Sequence, residues 1–168
     1  NVSASVNISH LVFTDEDLKS YGTAYKVNPP LRTAEDRAAL REAVLDGTID
    51  CIAVDHLPKD IEQKQCEFDN AAFGMAGFEG AVSALLADFK IHDEILQDRL
   101  SAAPRRSLGL PNISIVEGQI AEFTMVTKET NPLVAMASKS ANNPFKFMDL
   151  NNSIRGVFVK GEYLSLQS

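Results

Sequence analysis

Three stretches carry residue types able to do chemistry. The run Ile49 to Pro58, IDCIAVDHLP, is apolar apart from Asp50 until it ends on an acid, Asp55. A carboxylate at the end of a buried strand can take up and return a proton; it can equally open the following turn. In KVNPPLR, Lys26 to Arg32, two prolines remove backbone donors and hold Asn28 at a rigid turn. An amide there serves either the turn itself or a ligand that needs both a donor and an acceptor. His10 closes an alternating run and has no neighbouring partners of the kind a metal site needs, so a hydrogen-bonded structural role is expected.

The elements that must position these residues follow from periodicity. Val2, Ala4, Val6 and Ile8 alternate with Ser3, Ser5, Asn7 and Ser9, which predicts a strand with a small polar face. Thr14 with Asp17 predicts a short capped helix to about Ser20, ended by Gly22. Thr33 with Asp36 caps a helix from Ala34 to Asp46 that Gly47 ends, with Leu40, Ala43, Val44 and Leu45 as its apolar face. The strand Ile49 to Asp55 comes next, so the order is strand, helix, strand, the pattern of a parallel α/β unit. On that strand Cys51, Ala53 and Asp55 share one face, and small residues suit a barrel interior whose rim carries the chemistry.

Residues 56–74 form a long polar loop, and loops of that length in compact domains are usually functional or disordered. Phe78, Ala81, Val82, Leu85, Leu86 and Phe89 recur at helical spacing as core positions. Gly74, Gly77 and Gly80 do not make a dinucleotide-binding fingerprint. A helix over about Asp93 to Leu100 and a short one opened by Pro104 complete this part. Beyond Ile113 the pattern turns to strands, with Ala121, Phe123 and Met125 on one face. A closing hairpin is expected from Arg155 to Leu166 about Lys160-Gly161, after the irregular SKSANNPF. The expected division is an α/β part at 1–110 and a small β-rich subdomain at 111–168.

Composition bounds the function classes. The chain has 168 residues, 45% hydrophobic and 23% charged, with a net charge of −7 and no cluster of Lys and Arg, which argues against a nucleic-acid partner. No apolar run approaches the ~18 residues of a membrane span, and no signal peptide is evident. Cys51 and Cys66 lack metal-site spacing and read as free thiols in a reducing compartment, so a cytoplasmic location is expected. The chain starts at Asn1, without methionine and directly in a strand-like pattern, as expected where something upstream has been removed.

The segment KVNPPLRTAEDRAALREAVLDGTIDCIAVDHLP resembles dihydroorotases, the cyclic amidohydrolases of pyrimidine synthesis, and the likeness continues through PRRSLGL, EGQIAEFTMV and SKSANNPF. Hydantoin-, dihydropyrimidine- and allantoin-cleaving relatives share the double proline and the strand-ending Asp but not usually NPPLR. The resemblance implies the last two strand-helix units of a TIM-like metal-dependent hydrolase barrel plus a small C-terminal β subdomain. It implies reversible hydrolysis of dihydroorotate to carbamoyl aspartate, with zinc bound by Asp55, which would also shuttle the proton. Asn28 would contact the pyrimidine ring, and backbone groups near Phe73 and Gly74 would hold its polar edge.

Departures from the family pattern bear on activity. A complete barrel needs about 250 residues, and the family's HxH metal ligands and two later histidines belong to strands absent here, so the chain is expected to be inactive alone. DHLPK stands where the family has DHAPH, so Lys59 replaces a loop histidine and could meet a substrate carboxylate as a point charge. NISH stands for TPHH, leaving His10 without its neighbour. Two functions therefore compete: an enzyme, or a non-catalytic homologue serving as scaffold for another pyrimidine-pathway enzyme such as aspartate carbamoyltransferase. Unpaired strand edges predict self-association.

Overall fold

A computed structural model of the chain describes residues 2–127, 138–148, 150 and 153–165. Strand β1 (Ser5–Asn7) runs parallel to β2 (Cys51–Ala53), with Ser5 opposite Cys51 and Asn7 opposite Ala53. The connection carries α1 (Ile8–Val12) and α2 (Ala34–Asp46). A second, antiparallel sheet is formed by β3 (Phe123–Thr127), β4 (Ser153–Val159) and β5 (Glu162–Ser165) in that order. Lys160 and Gly161 both take positive φ between β4 and β5, as a tight two-residue hairpin turn requires. Leu166, the expected end of this hairpin, lies outside the described residues.

Local signals formed what they encode. Thr33 Oγ1 accepts from Asp36 N–H at 3.2 Å, Thr33 N–H reaches the Asp36 carboxylate, and Gly47 ends α2 at φ 91°. The Thr14–Asp17 box also forms, but it caps a single 3-10 turn, Asp15–Leu18, and Tyr21 rather than Gly22 takes the left-handed conformation.

The two predicted parallel strands are shorter than their apolar patterns. At β1 the chain turns into α1 at Ile8, and all five residues of that helix are buried. At β2 the strand stops at Ala53, and Asp55 takes φ 48°. Leu45 and Phe78, expected in the core, are exposed at 45% and 67%. Pro104 does not open a new helix. It lies inside a continuous run in which α4 (Asp93–Gln97) passes through a wider π turn, Asp98–Ala102, into α5 (Ala103–Ser107). The Ala103 N–H reaches back to the Asp98 carbonyl, a widened register in which proline's missing donor is tolerated.

The core brings distant segments together. Phe13, Val27, Leu31, Val44, Ile52, Met75, Leu85 and Phe145 are buried in one cluster. Helix α3 (Ala81–Ala84), continued by a π turn Leu85–Phe89, packs its buried Ala81, Ala84 and Leu85 there. Phe145 is fully buried and packs against the start of α3, where a Cβ at Gly80 would clash with the Phe145 Cβ and Cγ. The glycines near α3 thus make room for a side chain arriving from 65 residues on, and SKSANNPF, expected to be a mere connection, supplies it.

Candidate active site

The junction beyond β2 is built by backbone pairing. Past Asp55 the chain runs beside the Gly74–Met75 segment, with His56 bridged in parallel to Met75 and Leu57 N–H bonded to the Met75 carbonyl at 2.9 Å. Gly74 N–H donates to the Lys26 carbonyl at 2.9 Å, which brings the Asn28 turn to the same place. Gly74 must be glycine: its φ is 133°, and a Cβ would stand 2.9 Å from both the Leu57 Cβ and the Leu57 carbonyl oxygen. The Lys59 side chain crosses the same spot, its Cε 3.3 Å from that Cβ position. Asp55, Lys59 and Gly74, with the chain leading to Asn28, thus share one backbone junction.

Asn142 locks it. Its side chain is completely buried, and the Nδ2 donates to the carbonyls of Leu57 and Gly74 at 2.9 Å each, while Oδ1 accepts from Lys59 N–H at 3.0 Å. Its own carbonyl accepts from Ala76 N–H at 2.9 Å. One amide therefore satisfies three loop backbone groups that burial would otherwise leave costly.

Asp55 is exposed, and its Oδ2 accepts from Asn7 Nδ2 at 2.9 Å. A non-glycine residue at positive φ is uncommon outside turns and functional sites. His56 Nδ1 accepts from Phe78 N–H at 3.2 Å.

Asn28 itself is exposed, following buried Val27. The turn after it is pinned by His10, whose Nε2 lies 3.1 and 3.3 Å from the carbonyls of Pro29 and Pro30 while Nδ1 pairs with Ser9 Oγ. The ring fits a proton on Nε2, donated to the carbonyls, with Ser9 donating to Nδ1. His10 is thus the structural residue that its isolation in the sequence predicted.

Phe73 is half exposed and carries the Lys26 ammonium 4.8 Å from its ring centre. Lys26 Nζ also donates to the carbonyls of Phe68 and Asp69 at 2.7 and 2.9 Å. Lys64 is buried and donates to the carbonyls of Thr23 and Ala72 at 2.8 and 2.7 Å. Burial, with the positive charges of Lys26 and Lys59, pushes its ammonium down to about 8.

Sequence reasoning missed Asn7, Lys26, Lys64 and Asn142. Asn7 carried a signal, as a polar residue on one face of the alternating run. The others make contacts at sequence separations of about forty to eighty-five residues, beyond any local pattern, although Lys64 also reaches Ala72 eight residues on.

Among the described residues no three His, Cys, Asp or Glu side chains converge as a metal site, and Asp55 already shares its carboxylate with an amide. These residues alone do not fit zinc, which takes about three protein ligands. No helix among them is long and apolar enough to cross a membrane.

No family model matches the chain. It is 40% identical over 151 residues to the dihydroorotase of Bacillus subtilis, covering 86% of this chain and 35% of that protein. To the dihydroorotase of Streptomyces coelicolor it is 38% identical over 174 residues, covering 96% and 40%. The chain thus spans less than half the length of these curated relatives. Among solved structures, the L-hydantoinase (dihydropyrimidinase) of Arthrobacter aurescens matches with a TM-score of 0.84 at 22% identity, over 98% of this chain and 39% of that one. The inactive dihydroorotase-like domain of a CAD-like multifunctional protein from Chaetomium thermophilum matches at 0.64 and 17%, over 99% and 45%. In sequence the chain is similar to part of these dihydroorotases, and its fold matches the corresponding part of the hydantoinase structure.

Proposed function

We propose that the full-length protein hydrolyses a cyclic amide, dihydroorotate, reversibly to carbamoyl aspartate. The observation that carries this is Asp55: an exposed carboxylate at positive φ, held by Asn7 where β2 gives way to the Gly74 junction. In this reading water attacks the ring amide carbonyl, Asp55 takes the water's proton, the ring C–N bond breaks, and Asp55 returns the proton to the leaving nitrogen. Asn28 contacts the ring, and backbone groups near Phe73 and Gly74 hold its polar edge. Gly74 has both its N–H and its carbonyl paired already, so a substrate donor there would use the carbonyl's second lone pair. Lys59 meets the substrate carboxylate as a charge.

In the proposed architecture β1 and β2 are the last two barrel strands, residues 1–110 are the barrel part, and 111–168 form the β subdomain. Zinc, which the dihydroorotase resemblance implies, would require ligands from outside the described residues in addition to Asp55. The protein is proposed to be cytoplasmic and to form homo-oligomers.

A specific observation favours a second reading, a non-catalytic scaffold partnering aspartate carbamoyltransferase: Lys59 stands where the dihydroorotase pattern has a loop histidine, and His10 is turned to proline carbonyls. Assay of the full-length protein in both directions, with and without added zinc, decides between them. Turnover of dihydroorotate in preference to hydantoin and dihydrouracil supports the enzyme; no turnover with added zinc, together with co-purification of aspartate carbamoyltransferase, supports the scaffold.

A further inference from the structure

We propose that Asn7 is a substrate-recognition residue whose amide grips Asp55 with its nitrogen and receives a ring N–H of the substrate on its oxygen. This rests on the cyclic-amide reading above and names the atom that would orient the scissile bond. Asn7 ends β1 opposite Ala53, two residues before Asp55. Its Nδ2 lies 2.9 Å from Asp55 Oδ2, and because an ionised carboxylate only accepts, the nitrogen must be the atom facing it.

That assignment commits the other end. Asn7 Oδ1 is buried and has no hydrogen-bond partner among the described residues, the one such side-chain atom found there. Buried acceptors are rarely left unpaired, and an unpaired one beside a reacting group invites an explanation from function. An acceptor on the same amide that holds the proton carrier would receive the N–H of the ring nitrogen that leaves. It would set that nitrogen beside Asp55, which delivers to it the proton taken from water as the C–N bond breaks.

The test uses the full-length protein and the isosteric pair Asn7→Thr and Asn7→Val, since a threonine hydroxyl can both donate to Asp55 and accept from the ring. Dihydroorotate and its derivative methylated on the leaving ring nitrogen are compared by turnover and by calorimetric binding. Wild type and Asn7→Thr are expected to prefer the N–H compound, and Asn7→Val to lose about tenfold or more of that preference. An unchanged preference in Asn7→Val overturns the proposal. Should that variant fail to fold by circular dichroism, Asn7→Ala gives the same ratio. Binding with an Asn7-dependent preference but without turnover upholds the recognition role and sinks the hydrolytic reading. Turnover with no Asn7-dependent preference does the reverse, and neither binding nor turnover sinks both.

Discussion

Single residues here act mainly by satisfying, or failing to satisfy, buried polar groups. Lys64 shows the electrostatic side. Its ammonium is buried on two carbonyls and faces the positive charges of Lys26 and Lys59. A base whose pKa falls from 10.5 unfolded to about 8 folded binds fewer protons when folded, so its contribution to stability grows as pH rises between those values. Below about 8 the cost of keeping the charge is fully present, up to ~3 kcal/mol. Melting temperatures of wild type and Lys64→Met, compared across pH 7 to 10.5, are therefore expected to diverge, wild type gaining relative to the variant as pH rises. Parallel curves would contradict this. Nothing in KQC at 64–66 announced a buried lysine, because its acceptors lie in other segments. By contrast, Asp55 was legible as the polar end of an apolar run.

At the scale of elements, legibility followed the range of the determining interactions. Helix α2 was readable to its ends because its caps and its terminating glycine are local. The strands were not, because what ends β1 is the need to bury Ile8 and Leu11 in the shared core, and what ends β2 is the left-handed turn at Asp55. The packing of Phe145 on Gly80 and the clamp of Asn142 on Gly74 were invisible for the same reason: both join segments about seventy residues apart. Two predictions belong here. Asn142→Leu leaves the Lys59 N–H and the Leu57 and Gly74 carbonyls without this partner, and is expected to cost about 3 kcal/mol or more, a fall in Tm of roughly 6–12 °C; a loss under about 2 °C would argue against the clamp. Gly80→Ala should destabilise by about 1–3 kcal/mol through overpacking, and should cost less than that in a Phe145→Ala background, where the ring atoms that the new methyl meets are gone, a coupling that denaturant titration of the double-mutant cycle reads directly. Strict additivity would place the clash elsewhere.

For the whole molecule, the decisive fact is proportion. Two parallel strands expose hydrogen-bonding edges that a closed barrel would pair, and Ala53, on the face read as a barrel interior, is exposed. The 168-residue chain by itself is expected to self-associate, and a stable monomer by size-exclusion chromatography with light scattering would contradict that. The likeness to the dihydroorotases was readable in NPPLR and VDHLP because short local motifs can be read without knowing the packing. The Lys59 departure was equally plain, although its position across Gly74 was not. The account depends most on Asp55 as proton carrier. Turnover of dihydroorotate by full-length Asp55→Asn, with substrate binding followed in parallel, tests it most directly: the account predicts binding retained and a rate lowered on the order of 10²–10⁴-fold, whereas turnover at the wild-type rate would contradict it.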